Sequence, residues 1–300
     1  MQTSSSLDHE PVMPSEVVTM LKAEGGGSFV DYTVGAGGHT SRLLEAGVER
    51  VLGFDRDADA LKKAANNLNH WHDSVELVHS DFRQFVHVLN DRGIQSIDGA
   101  LADLGVSTMQ LDGHERGFSF RKDEPLDMRM DRSVGPTAAE MLSAVSESDL
   151  ADVIYRFGED RHARRIARLF VSTRDHTDIK TTGQLAEVVR RAVARRGYQR
   201  IDPATRTFQA VRIWVNREVE GLDEWLGNVC RRLKAGSRFA VLTFHSLEDR
   251  IVKHTFRDLE RHADIKIKIL TKKPLRPSDQ EVSRNPRARS AKLRVAERLS

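Results

Sequence analysis

A chain of 300 residues, 39% apolar and 30% charged, is long enough for one large α/β domain or for a domain carrying an insertion. Only 8 prolines and 20 glycines exclude collagen-like, mucin-like and wholly disordered chains, and the longest apolar runs, such as Phe239 to Leu242, fall far short of the roughly 20 residues a membrane helix needs. The net charge of +3 is unevenly spread: residues 161–200 and 266–298 each hold eleven Lys and Arg against three Asp and Glu, which favours a polyanionic partner unless these are merely solvated arginine-rich helix faces.

The start, MQTSSSLDHE, has no apolar leader core, and residues 1–8 read as a flexible N-terminus. A single cysteine, Cys230, can close no internal disulfide, so a cytoplasmic protein in a reducing compartment is expected. Residues 28–33, 50–55, 75–79 and 97–103 read as short buried strands, with helical patterns over 57–69 and 82–91 between them. Such alternation predicts a parallel sheet with helices on both faces and ligands at the carboxyl ends of the strands.

After Asp103 about one hundred residues follow without a convincing strand. Capping signatures at Thr137/Glu140, Ser146/Asp149 and Thr181/Gln184 each precede an apolar-periodic stretch and mark helix starts. Leu150, Val153, Ile154 and Phe157 form one apolar stripe; Ala163, Ile166, Ala167 and Phe170 form another, with Arg164, Arg165 and Arg168 on other faces. A long helix is then predicted from the stripe Phe208, Val211, Val215, Leu222, Leu226 and Val229, followed by a strand at 238–243, a helix at 247–261, a strand near 265–270, a basic loop and a last strand near 292–297. Residues 9–111 and 206–300 thus make a sheet domain of seven strands, and 112–205 a helical insert. Seven strands ending in a strand pair suit a class I, Rossmann-like methyltransferase better than a six-stranded dinucleotide dehydrogenase.

The first strand runs into Asp31-Tyr-Thr-Val-Gly35-Ala-Gly37-Gly38-His39, where glycines let the backbone turn sharply beside a ligand or simply make a tight strand-to-helix turn. Asp55 ends the second strand 24 residues after Asp31, placed to accept from a ribose diol or to cap the next helix. Asp81 and Phe82 follow the third strand, where a polar group and a ring suit adenine, though Phe82 can equally pack with Phe85, Val86 and Leu89. Asp103-Leu-Gly-Val-Ser107 ends the fourth strand, beside the place for a transferable methyl; a carboxylate there can hold an exocyclic amine or serve only the cofactor.

In these residues and several longer runs the chain resembles the bacterial 16S rRNA (cytosine-N4) methyltransferase family, which uses S-adenosylmethionine. The likeness rests on His9-Glu-Pro-Val12, Gly35-Ala-Gly-Gly-His39, Asp103-Leu-Gly-Val-Ser107 with Gln110, Glu115-Arg-Gly-Phe-Ser-Phe120 and Pro125-Leu-Asp-Met-Arg-Met-Asp131. It continues through Ala204 to Asn216, Thr243-Phe-His-Ser-Leu-Glu-Asp-Arg250 and Asn285-Pro-Arg-Ala-Arg-Ser290, nearly the whole chain. The resemblance implies cofactor contacts at Gly37, Gly38, His39, Asp55, Phe82, Asp103 and Gln110, with Asp103 also the residue for chemistry. It implies as substrate the exocyclic N4 of one cytosine in the decoding region of 16S ribosomal RNA within the small subunit, with the insert facing RNA. Tyr32 departs from it, since the family usually has a small residue there.

On the RNA side, Phe118 and Phe120 are candidates to stack on a base or to pin the insert to the sheet. Arg129, like Arg116 and Arg121, suits phosphate or the neighbouring acids Glu115, Asp123, Asp127 and Asp131. His245 is a candidate base, although Ser246 and Asp249 also form a helix-start signature. The sulfonium donor activates its own methyl, so no metal and no covalent enzyme intermediate are expected. Two other readings stand beside this one: an NAD-dependent oxidoreductase, for which no phosphate-cradling loop is found, and a non-catalytic RNA-binding or ribosome-assembly factor.

Overall fold

The computed structural model describes residues 11–113, 115–193, 201–262 and 264–300; the flexible start read at 1–8 lies outside these residues, as do His9 and Glu10. In chain order the elements are α1 (Pro14–Leu21), β1 (Ser28–Asp31), α2 (Gly38–Ala46), β2 (Arg50–Asp55), α3 (Ala58–Asn67), β3 (Val75–His79), α4 (Phe85–Asp91), β4 (Ile97–Asp103) and α5 (Thr108–Asp112). There follow α6 (Ala138–Ala144), α7 (Glu147–Gly158), α8 (Ala163–Arg174), α9 (Thr182–Ala192), α10 (Ala204–Asn216), α11 (Leu222–Arg232), β5 (Leu233–Thr243), α12 (Ser246–His262), β6 (Ile267–Ile269), α13 (Asp279–Arg284) and β7 (Lys292–Arg298). The chain folds as two compact units, residues up to Gly105 with Gly221–Ser300, and Val106–Glu220.

The first unit carries the expected seven-stranded sheet, in the order β3-β2-β1-β4-β5-β7-β6. β1 to β5 run parallel, and β7 inserts antiparallel between β5 and β6. Both faces are buried, so successive strand residues feed two cores. In β5, Phe239 and Val241 join one face with Tyr32, Phe54, Phe85 and Trp225, while Ala240 and Leu242 join the other with Phe29, Leu43, Leu101 and Leu293. Gly99 in β4 is set by close packing: a Cβ there would lie 2.3 Å from the Phe29 ring. Among the described residues no helix is long and apolar enough to cross a membrane.

Tyr32 sits in this aromatic core. Its ring stacks on Phe54 at 5.8 Å and meets Phe85 and Trp225 edge-on at 5.1 Å each, while its hydroxyl has no hydrogen-bond partner. An unpaired buried hydroxyl costs about 1–3 kcal/mol. Burying the ring returns a similar amount, and each aromatic contact adds about 0.5–1.5 kcal/mol, so packing outweighs the orphaned oxygen. The large residue therefore points into the core and leaves the following loop its shape.

The second unit is helical and has its own core, including Leu142, Ile154, Ile166, Phe170, Leu185, Val189, Phe208 and Val211. The long helix expected through Phe208 to Val229 is instead two helices. Arg217 takes a left-handed conformation at the end of α10, and Gly221 takes another just before α11. Val215 and Leu222 lie seven residues apart, so the helical stripe runs on in sequence across a break in the chain. Phe208 and Val211 enter the insert's core, whereas Leu222, Leu226 and Val229 enter the sheet's. Because α10 packs with α6, α7 and α9, the units divide at Gly105/Val106 and Glu220/Gly221 rather than at the 112 and 205 read from sequence.

Candidate functional site

The strand order reverses between β1 and β4, and the loops after their carboxyl ends lie at the switch point of the sheet. β1 ends at Asp31, whose carboxylate accepts from Thr33 N–H at 3.1 Å and from the Thr40 hydroxyl at 2.7 Å. Burial pushes this carboxyl above the usual range; the Thr40 and Thr33 hydrogen bonds and His39 oppose the shift, and the Asp103 charge adds to it. Thr33 Oγ1 in turn accepts from Asp103 N–H at 2.6 Å, so one turn ties the end of β1 to the end of β4.

The glycines of the loop have distinct duties. Gly35 and Gly37 both have positive φ, and a Cβ on Gly37 would meet Leu68 at 2.8 Å. Gly35 N–H donates to Asp55 Oδ2 at 2.8 Å, which fastens the loop to the end of β2. Asp57 N–H donates to the other oxygen of Asp55 at 2.9 Å. Burial raises the Asp55 carboxyl to about 6 against these two bonds. Helix α3 is capped by Asp57, whose side chain accepts from Asp59 N–H, so Asp55 is not the capping residue.

α2 begins immediately after the loop, with Gly37 at its N-cap and His39 in its first turn. His39 is buried, and its Nε2 stands 3.5 Å from Asp103 Oδ2. Among the described residues, neither ring nitrogen has a hydrogen-bond partner, nor has Asp103 Oδ1. Buried polar groups are nearly always paired, and leaving one unpaired costs about 1–3 kcal/mol. Two side chains left so at adjoining ends of β4 and α2, beside the glycine loop, make these strand ends the candidate site for polar groups from outside the chain. A glycine loop admits a ligand to its backbone, and the Asp55 carboxylate retains lone pairs for donors such as a ribose diol. These features fit a nucleoside-bearing cofactor.

Past β3 the outcome is mixed. Asp81 caps a short 3₁₀ turn and is held by Arg83 through two charge-assisted bonds of 2.8 and 2.6 Å. Its burial is outweighed by Arg83 and Arg56, which keep the carboxyl below its usual range. Phe82 is buried against Trp225, ring centroids 4.4 Å apart. The Trp225 contact had no signal in the sequence, since 143 positions separate the two rings.

His245 lies after β5 with its side chain almost wholly buried, Nε2 3.0 Å from Glu248 Oε1. Glu248 N–H donates to His245 Nδ1, and Glu248 Oε2 accepts from the backbone N–H groups of Phe244 and His245. The helix-start signature therefore belongs to His245 and Glu248, one residue earlier than Ser246 and Asp249. Asp249 instead pairs with Lys292 at 2.8 Å and Arg294 at 2.7 Å on β7.

The remaining candidates belong to the inserted unit. Gln110 closes a capping box at the start of α5: its side chain accepts from Ser107 N–H, and its N–H donates to Ser107 Oγ. The Ser-x-x-Gln spacing carried that signal, as it did at Thr181. Phe118 is buried in the helical core, and Phe120 packs on Phe208 with centroids 4.8 Å apart. Both rings thus serve the insert's own packing. Arg129 forms a bidentate pair with Asp127, at 2.7 and 3.0 Å, and also donates to the Gly135 carbonyl. Arg116 is buried and donates to the carbonyls of Arg129 and Met130.

Over residues 6–299 the chain matches the MraW methylase family. It is 49% identical over 292 residues to the ribosomal RNA small subunit methyltransferase H of Cyanothece sp., a match covering 97% of this chain and 95% of that protein. Identity to the protein of the same name is 47% in Sorangium cellulosum, covering 97% and 91%, and 46% in Nitrobacter winogradskyi, covering 99% and 92%. A match that runs through both compact units at this identity places the chain in the MraW methylase family.

Proposed function

We propose that the protein transfers a methyl group from S-adenosylmethionine to the exocyclic N4 of one cytosine in the decoding region of 16S ribosomal RNA, in the small subunit and in the cytoplasm. The observation that carries this reading is the pair of unsatisfied polar side chains, His39 and Asp103, at the carboxyl end of β4 beside the glycine loop. When bound, the cofactor supplies an electrophilic methyl on a positively charged sulfur. Gly37, Gly38 and His39 would line its methionine end, Asp55 would accept from its ribose hydroxyls, and Phe82 and, from the inserted unit, Gln110 are the remaining residues proposed to hold it. The raised Asp55 carboxyl, at about 6, is still mostly ionised near neutral pH, the form that accepts two hydroxyl donors.

Asp103 Oδ1 accepts an N–H of the target amine and turns its lone pair toward the methyl. With the donor bound, its methyl would pass to the amine nitrogen while the sulfur leaves as a neutral thioether, and the proton shed by the amine would go to solvent water. Positioning of this kind supplies most of the rate in a direct transfer, since nearby alignment replaces a bimolecular encounter. The cytosine is turned out of its stack to reach the strand ends. The sheet unit is the methyltransferase domain, and RNA is held by the basic segment 161–200 of the helical insert together with the basic segment 266–298 of the sheet unit.

Small subunits lacking the modification, incubated with the protein and a methyl-labelled donor, test this. Mass mapping is expected to find one added methyl on N4 of a single cytosine. Asp103→Asn is expected to lower transfer at least about 100-fold while the fold is kept, the scale for removing a group that orients the reacting centre. Label on another atom, or full transfer by Asp103→Asn, overturns the assignment.

A further inference from the structure

The turn joining α7 to α8 carries an unusual surface. Residues 155–168 hold five arginines against two acids, Glu159 and Asp160. Asp160 is buried and spent locally, accepting from His162 N–H at 2.8 Å. Arg168 pairs with Glu147 at 3.6 Å, and Arg156 lies against the Phe157 ring. Arg161, Arg164 and Arg165 are exposed and make no ion pair among the described residues.

Two features of these side chains run against local stability. α8 has no acid in its first turn, where Arg164 and Arg165 place two cations near the positive end of the helix dipole. Each such placement costs about 0.3–1 kcal/mol. One turn before the end of α7, Tyr155 is 64% exposed, while the buried face of that helix is Leu150, Ala151, Val153, Ile154 and Gly158. An aromatic ring left in water forgoes the roughly 1.5–3 kcal/mol that burying it would return. Neither choice helps the insert to fold.

We infer that this turn docks a single-stranded segment of RNA, with Tyr155 offering a stacking face for a base and Arg161, Arg164 and Arg165 meeting the phosphates. The inference rests on the reading of RNA as substrate and goes beyond it by naming where the strand lies and how it is held. An exposed π-face in the last turn of α7, followed in the chain by exposed guanidinium groups on the turn and the start of α8, suits unstacked bases on a charged backbone. Paired bases offer no free face to Tyr155, so a duplex would use the arginines alone.

The full chain, a fluorescent single-stranded RNA and its duplex form a direct test by anisotropy across a salt series. Replacing all three residues as Arg161→Glu, Arg164→Glu and Arg165→Glu is expected to weaken single-strand binding at least about tenfold. It is also expected to flatten the slope of log K against log salt by about 2, at roughly 0.7 per lost phosphate contact. Tyr155→Ala is expected to cost about tenfold with the slope unchanged, and Tyr155→Phe to restore binding. The charge reversals put acids in the first turn of α8 and should raise the melting temperature while RNA binding falls, which a purely structural role would not produce. Should the triple variant fold poorly, the corresponding Arg→Gln variant carries the same slope test.

Wild-type affinity and slope in both variants, with measurable RNA binding by the parent, overturn the inference and leave the methyltransferase reading standing. Tyr155→Ala losing as much duplex as single-strand affinity overturns the stacking role. A parent that neither binds nor methylates RNA sinks the underlying reading and this inference with it.

Discussion

The two units spend their polar side chains in opposite ways. At the strand ends of the sheet unit, His39 and Asp103 are left without hydrogen-bond partners, and Asp31 and Asp55 are held in burial that disfavours their charge. Most motif residues of the insert are consumed internally, the buried Thr207 hydroxyl being left without a partner among the described residues. Asn216 Oδ1 accepts from Met130 N–H at 2.7 Å, its amide donates to the Met128 carbonyl at 2.7 Å, and Arg212 pairs with Glu218 twice at 2.8 Å. Motif runs of equal length thus do different work. The runs at the ends of β1 and β4 leave polar groups unpaired among the described residues, whereas those of the insert, like Thr243 to Arg250 of the sheet unit, tie loops and helix starts together.

The sharpest way to break this contrast is at Gly117, inside the Glu115-Arg-Gly-Phe run. It has φ of 71°, and a Cβ there would lie 2.5 Å from the Pro125 carbonyl oxygen and 2.8 Å from Asp127 N. Both contacts are with backbone, which cannot rotate away. Gly117→Ala is expected to destabilise the protein by about 3 kcal/mol or more, from positive-φ strain together with overpacking. Chemical denaturation measures it directly. A loss below about 1 kcal/mol would mean that the loop yields, and that the motif is less architectural than the packing implies.

A second test addresses the sheet unit through pH. The folded Asp55 carboxyl titrates at about 6 against 3.8 for the unperturbed group, so the folded state binds the extra proton between those values. Its penalty to stability is absent below 3.8, grows as pH rises through the interval and is complete above 6, on the order of 2–3 kcal/mol. On the proposed contact, in which ribose hydroxyls donate to the ionised Asp55 carboxylate, cofactor affinity should move the other way. Calorimetry is expected to show the donor binding roughly tenfold tighter at about pH 7 than at about pH 5, and Asp55→Asn to remove that dependence. A flat profile in the parent would detach Asp55 from the ribose.

These contrasts also show what the sequence could carry. The placement of the glycine loop, Asp55 and Asp103 at strand ends was legible because it is local: the strand pattern places the residue, and the turn follows it. Trp225 against Phe82 and Asn216 against Met128 and Met130 were not, since partners 86 or more positions apart leave no spacing to read. The break at Arg217–Gly221 was hidden by a stripe that keeps helical phase across it. At His245 the signal was present but ambiguous by one register, because Ser246 offers the commoner capping side chain while His245 and Glu248 form the cap.

The smallest effect concerns Thr181, where the insert's capping box and its loop staples meet. Its hydroxyl accepts from Gln184 N–H, the Gln184 side chain accepts from Thr181 N–H, and the residue bridges Pro125 across the motif loop. Thr181→Ala removes one cap bond and leaves the backbone pairing, so the expected cost is about 1 kcal/mol, against a few tenths for Thr181→Ser, which keeps the oxygen. The neighbouring Asp123, lowered first by its bond to Thr181 and then by Gly183 N–H, should titrate closer to an ordinary carboxyl in the alanine variant, as NMR would register. If instead both variants bind donor less well at unchanged stability, polarity in the insert is also directed at a ligand, and the contrast between the units fails at that point.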